Sequence, residues 1–208
     1  MIAATSASTP VAWLVARAAG LVAFGLLTSA VLLGLAMSTR LLGNKRTKQL
    51  LAWHQTIVWT AVAMVLLHMV ALLLDPVMQF RVVDVLVPGL ARWRPIPVAG
   101  GVVTLWLMVA LAVSFRFRRR IGQRRWRLLH YASFGGFFLG LYHALNVGSD
   151  LTGGRGLVFA GILCAPALWL MFARILMPKP RAARPAMVRP TPKDDPVQAP
   201  ARRPAAVA

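Results

Sequence analysis

The chain has 208 residues, of which 58% are hydrophobic, and its mean hydropathy of +0.66 is too high for a soluble domain of this size. The formal net charge is +19, but the basic residues lie between apolar runs and in the tail, as topology signals do, so we expect no nucleic-acid partner. The only cysteine, Cys164, excludes an internal disulfide bond. Together these properties predict a small polytopic membrane protein.

Five apolar segments are long enough to cross a bilayer, since about 20 helical residues span a hydrocarbon core of roughly 30 Å. They cover residues 18–37, 50–74, 98–115, 128–147 and 157–177. Residues 77–87 are too short and too charged to span, and they predict an interfacial helix on the outer face. We therefore expect an all-α membrane helix bundle over residues 11–177, with a short exposed arm at residues 1–10. Residues 178–208, rich in Pro, Ala and Arg, predict a disordered cytoplasmic tail.

The loops after the first and third spans carry the excess of basic residues, four and seven respectively, and the tail carries more. Because Lys and Arg are retained on the cytoplasmic side, this bias predicts the N-terminus outside and the C-terminus inside. The expected location is the cell inner or plasma membrane, in contact with lipid.

All four histidines of the chain lie in the second and fourth spans. Ionisable groups inside a membrane are costly and usually functional. The two spans run parallel, so His54 and His130 lie near the cytoplasm, His68 and His143 lie near the outside, and the two levels are roughly 20 Å apart. Two imidazoles facing each other across a gap between helices can supply the axial ligands of a low-spin b-type haem. The pattern predicts two haems, with these four histidines as the iron ligands.

The spacing within each helix fits this prediction unequally. At about 100° per residue, fourteen residues fall roughly 40° short of four turns, but the thirteen of the second pair fall about 140° short. Three glycines between that second pair, Gly135, Gly136 and Gly140, could allow local overwinding or a kink and leave room for a flat macrocycle.

Several cationic and aromatic residues flank these histidines. Arg127, one turn before His130, is the inner-side candidate for binding a haem propionate. The outer-side candidates are Arg92, Arg94 and Arg155. The seven arginines within residues 116–127 are explained by topology, or alternatively by docking of an acidic flavoprotein. Trp53 and Trp126 are interfacial anchors by default, and alternatively pack on the edge of an inner haem.

The histidine spacings, with thirteen residues between His54 and His68 and twelve between His130 and His143, are similar to the paired motif of the ferric reductase-like transmembrane domain superfamily. That superfamily includes ferric reductases, NADPH oxidases and the haem membrane subunit of the bacterial periplasmic methionine sulfoxide reductase system. The segment RRWRLLHYASFGGFFLGLYHAL resembles the last group, in which a Trp-x-x-x-His sequence (Trp126 to His130) leads into the motif. The resemblance covers roughly residues 15–177. It implies that the four histidines bind haem and that electrons move from the cytoplasmic haem to the outer one.

The chain departs from that superfamily in two respects. Its members usually have six spans, whereas five are predicted here. The reductases and oxidases carry a flavin- and NADPH-binding domain after the last span, whereas a tail rich in Pro, Ala and Arg follows it here. We therefore expect an oxidoreductase component whose electrons come from a separate flavoprotein, which would supply the flavin, or from quinol, and pass to an extracytoplasmic acceptor. The alternative is a haem-free small transporter or assembly scaffold that uses its histidines for packing or proton relay.

Overall fold

The computed structural model describes residues 11–39, 47–148, 150–151 and 153–176. All regular structure within them is helical, which confirms the all-α prediction. The helices are α1 Val11–Ser38, α2 Thr47–Leu73, α3 Val82–Leu86, α4 Pro95–Ser114, α5 Arg118–Ile121, α6 Gln123–His130, α7 Ala132–Val147 and α8 Gly154–Leu176. The predicted arm at residues 1–10 and the predicted tail at residues 178–208 lie outside the described residues.

Four of these helices, α1, α2, α4 and α8, are long and apolar enough to cross a membrane, with hydropathies of 2.1 to 2.2. Large apolar side chains such as Leu66, Val70, Ile162 and Phe172 are exposed on their surfaces. Exposure of so many apolar side chains is unfavourable in water but favourable in the hydrocarbon core of a membrane. The described part of the chain is therefore consistent with a multi-pass membrane protein.

The fourth predicted span, residues 128–147, is divided in the structure. Helix α6 ends at His130 and α7 begins at Ala132, and α7 alone has only 16 residues. The backbone N–H of Tyr131 donates to the carbonyls of both Arg127 and Leu128, at 3.3 and 3.1 Å, which tightens the turn at the junction. The irregularity expected near the glycines lies instead at Tyr131, while Gly135 and Gly136 remain helical.

The interfacial helix predicted over residues 77–87 is shorter than expected. Only Val82–Leu86 is helical, because Gln79 adopts a positive φ of 47° that a helix does not accommodate. Asp84 caps the short helix by accepting hydrogen bonds from the backbone N–H of Arg81 at 2.9 Å and from its guanidinium. The same guanidinium holds the pKa of Asp84 below its ordinary value.

The bundle is built from two closely packed helix pairs. Helix α1 packs most extensively against α2, and α4 against α7, while α1 also contacts α7 and α8. Phe24 and Phe137 stack with ring centres 6.5 Å apart in the core between α1 and α7. Between α4 and α7, Gly100 lets the backbones approach, and Thr104 Oγ1 lies 3.0 Å from the Gly136 carbonyl.

Candidate functional site

The structure brings the four histidines together as two pairs, each with one ring from α2 and one from α6 or α7. The His54 and His130 ring centres are 6.2 Å apart, with the ring planes at 70°. The His68 and His143 ring centres are 6.4 Å apart, with the planes at 85°. These are the partners that the sequence predicts, and below they are called the inner pair and the outer pair.

The outer pair is anchored by two backbone carbonyls. His68 Nδ1 lies 2.7 Å from the Ala16 carbonyl of α1, and His143 Nδ1 lies 2.9 Å from the Pro97 carbonyl of α4. A carbonyl can only accept, so each Nδ1 carries the proton and each neutral ring keeps its lone pair on Nε2. Neither Nε2 has a hydrogen-bond partner among the described residues. A histidine that binds a metal through Nε2 commonly has this arrangement.

Glycine at two positions allows the outer rings to lie directly against neighbouring backbones. A Cβ at Gly20 would lie 3.0 Å from His68 Nδ1, and a Cβ at Gly101 would lie 2.7 Å from His143 Nδ1. Real Cβ atoms do not approach other atoms as closely as at Gly101, so a side chain there would displace the imidazole. By contrast, a Cβ at Gly34 would lie an ordinary 3.6 Å from the inner His54.

The inner pair has different surroundings. The Nδ1 atoms of His54 and His130 are buried and make no hydrogen bond of good geometry in the described part of the chain, although the Ala30 carbonyl lies close to His54. Trp126 stacks on His130, with ring centres 4.9 Å apart and planes at 20°, and its indole N–H donates to Ser114 Oγ at 3.2 Å. Trp53, the other tryptophan predicted near this level, is 59% exposed.

The junction at Tyr131 lies between the two histidines whose spacing fits an ideal helix less well. Helix α2 is continuous between its two histidines, whereas the α6–α7 junction lies between the other two. Tighter 3₁₀-type winding adds only about 20° per residue, so the turn at Tyr131 supplies a small part of the rotation of about 140° that thirteen ideal residues lack. The sequence indicated that extra rotation is needed between His130 and His143, but it did not locate the helix break at Tyr131.

A cavity of about 390 Å³ adjoins the outer pair and is lined by His68, His143 and mostly apolar side chains. This volume falls within the range of roughly 300–1,000 Å³ that is typical of small-molecule and cofactor sites. Arg17 and Asp150 also line it and form an ion pair with each other. The Arg17 guanidinium, which lies 4.1 Å from the Trp13 ring centre, holds the pKa of Asp150 below its ordinary value.

Sequence reasoning did not identify Arg17 or Asp150 as site residues. The available signal was an arginine close to the start of the first apolar run, in a chain with only five acidic residues. Their pairing, across 133 positions, could not be derived from the sequence.

The arginines that were predicted to bind haem propionates differ in the contacts that they make. Arg127 is exposed on α6, and its side chain makes no hydrogen bond or ion pair with any described residue. The Arg94 guanidinium donates to the Asn146 carbonyl near the outer end of α7. Arg92 and Arg155 are exposed and are not among the residues that line the cavity.

The geometry of both pairs is compatible with axial ligation of haem iron. An imidazole nitrogen lies about 2 Å from a bound transition metal, and its ring centre roughly 1 Å further, so two opposed ligands have ring centres about 6 Å apart. The observed separations are 6.2 and 6.4 Å. Two ligands are too few for a tetrahedral zinc site, and no group of three or more metal-binding side chains occurs among the described residues. Haem iron needs only two axial ligands.

The described residues form a bundle of helices, four of them long and apolar enough to cross a membrane, with two histidine pairs between them. The chain belongs to the family described as "Domain of unknown function (DUF8596)", whose model matches residues 11–150. That range includes all four histidines as well as Arg17 and Asp150. No curated protein and no solved structure matches the chain.

Proposed function

We propose that this protein is a transmembrane electron-transfer subunit of the ferric reductase-like kind, with one b-type haem held between His54 and His130 and another between His68 and His143. The observation that carries the proposal is the outer pair. Its two imidazoles come from different helices, have their Nδ1 atoms bonded to carbonyls, and lie beside a cavity of cofactor size. Histidines that serve only to join helices could make the same Nδ1 bonds, so what favours a cofactor is that both residues line the cavity while neither Nε2 has a partner among the described residues.

When bound, each haem would supply one-electron chemistry by cycling its iron between the ferric and ferrous states. The chain supplies position and environment. The Ala16 and Pro97 carbonyls set the tautomer and orientation of the outer rings, and Gly20 and Gly101 leave space for those rings. The apolar cavity lining excludes water, and Arg17, which is paired with Asp150, contributes a cation to the cavity wall.

The topology that completes this proposal has five spans in the inner membrane, with the N-terminus outside. Two features support it. Helices α6 and α7 are separated by only one residue, so Gln123–Val147 together are long enough to cross a bilayer. The arginines within residues 116–127, most of them exposed, lie shortly before His130 of the inner pair in the chain, as expected if that pair is nearest to the cytoplasm.

A partner has to deliver electrons to the inner level, and an extracytoplasmic acceptor has to remove them from the outer one. The arginines of α5, Arg118, Arg119 and Arg120, are suited to dock an acidic flavoprotein, while quinol is the other possible donor. Docking by exposed charge weakens as salt increases, because the Debye length falls from about 10 Å at 0.1 M to about 3 Å at 1 M. Replacing these three arginines by glutamine should slow reduction by a flavoprotein but leave the haem spectrum unchanged.

Haem content tests the proposal directly. The full chain, purified in mild detergent from haem-sufficient cells, should contain about two non-covalent haems and give a six-coordinate low-spin spectrum. The matched control is the variant with all four histidines changed to alanine, which should bind none specifically. NADPH alone should not reduce the protein, whereas NADPH with a flavin reductase should. A wild-type chain that stays colourless after haem supplementation would refute the proposal.

A further inference from the structure

The two histidine pairs are built differently. Both Nδ1 atoms of the outer pair donate to carbonyls, at 2.7 and 2.9 Å. Both Nδ1 atoms of the inner pair are buried and make no hydrogen bond of good geometry among the described residues. The inner ring of His130 is instead held by stacking on Trp126, whose indole is fixed by Ser114.

These contacts affect how strongly each ring donates electrons. An imidazole whose N–H donates to a carbonyl is a more basic ligand, because the hydrogen bond draws the proton away from the ring. A more basic axial ligand favours the ferric state, so it lowers the midpoint potential of the haem. The outer level has this contribution from both of its ligands. At the inner level His130 lacks it, and His54 has only a weaker contact with the Ala30 carbonyl.

Nearby charge acts in the same direction. Seven arginines lie within residues 116–127, shortly before His130 in the chain, and positive charge favours the ferrous state, which is less positive than the ferric state. Near the outer pair, the charge of Arg17 is balanced by its ion pair with Asp150, and Arg94, which donates to the Asn146 carbonyl, adds one positive charge. Charge therefore raises the potential of the inner site more than that of the outer site.

On the basis of the proposed function, we infer that the two haem sites are unequal, with the outer haem at the lower midpoint potential, so that the step from the inner to the outer haem is uphill and is driven by the acceptor that oxidises the outer haem. Gly20 and Gly101 are positioning residues for the outer site, because they seat the imidazoles on the two carbonyls. Trp126 and Ser114 are positioning residues for the inner site. The sequence did not predict that any of these four residues affects the midpoint potential of a haem.

The tautomers can be measured without haem. In the full-length chain in detergent micelles, before haem is added, side-chain ¹⁵N NMR should show His68 and His143 protonated on Nδ1 and unprotonated on Nε2. This result follows from the two carbonyl bonds alone. Either ring found protonated on Nε2 only would overturn the inference, whether or not the protein binds haem.

Redox titration of the haem-loaded protein tests the assignment of potentials. Gly101→Ala places a Cβ 2.7 Å from His143 Nδ1, so it should raise the lower midpoint and leave the higher one unchanged. Gly34→Ala is the matched control, since its Cβ meets His54 at 3.6 Å and both midpoints should stay in place. Trp126→Leu should shift only the higher midpoint.

If Gly101→Ala fails to fold, Gly20→Ala makes the same test at the other outer histidine, with a milder contact of 3.0 Å. Two haems with one shared midpoint, or a glycine variant that shifts the higher midpoint, would overturn the inference and leave the proposed function standing. Absence of haem from the wild-type chain would instead refute the proposed function.

Discussion

Thr104 offers a sharp test of how helices α4 and α7 are joined. Its side chain is only 6% exposed, and Oγ1 lies 2.8 Å from the Gly100 carbonyl of its own helix and 3.0 Å from the Gly136 carbonyl of α7. Thr104→Val keeps the shape of the side chain but removes the hydroxyl, so no cavity forms. The variant should therefore lose the energy of one hydrogen bond between helices.

Such bonds in membrane proteins contribute about 0.6 kcal/mol on average and up to about 1.7. We expect the unfolding equilibrium of Thr104→Val to shift roughly threefold to twentyfold towards the unfolded state, as measured by reversible unfolding in mixed micelles. Thr28→Val is the control, because Thr28 is 0% exposed but its hydroxyl donates only to Phe24 of its own helix, at 2.9 Å. If the two variants are equally stable, Thr104 does not join α4 to α7 as argued.

Two further variants test neighbouring contacts. Gly100→Ala places a Cβ 3.2 Å from the Leu139 carbonyl, a backbone atom that cannot easily move, so the melting temperature should fall. Gly135→Ala, with nothing within 4 Å, should leave the melting temperature unchanged, and an equal fall in both would contradict the reasoning. Because Arg17 lowers the pKa of Asp150 in the folded protein, their pair should stabilise the protein above about pH 4 and cease to do so as pH falls further. Asp150→Asn should cost about 1 kcal/mol or less at pH 7 and remove this part of the acid dependence, which a pH series of melts would show.

The sequence was sufficient to predict which histidines meet, because depth in a membrane follows from helix length, helix direction and the distribution of basic residues. Each of these three properties can be read from the sequence without knowing how the helices pack. Thus the pairing of His54 with His130, and of His68 with His143, is found in the structure as predicted. Whether these pairs bind haem remains a prediction.

Contacts made by neighbouring helices could not be predicted in the same way. The carbonyl partners of the outer histidines, Ala16 and Pro97, lie 52 and 46 residues away and depend on how α1 and α4 pack. A backbone carbonyl has no sequence signature, although a glycine four residues after each, Gly20 and Gly101, marks the close approach. The helix junction at Tyr131 could not be predicted either, because the surrounding sequence has no proline to indicate a break in the helix.

The most direct test of the account is a count of haems in paired histidine variants. His54→Ala with His130→Ala removes both ligands from one level, so about one haem per chain should remain, with the spectrum of the other level intact. His54→Ala with His143→Ala removes one ligand from each level, so close to none should remain in six-coordinate low-spin form. If the first double variant loses both haems, or the second keeps one intact, the two-level arrangement of haems proposed for this protein is wrong.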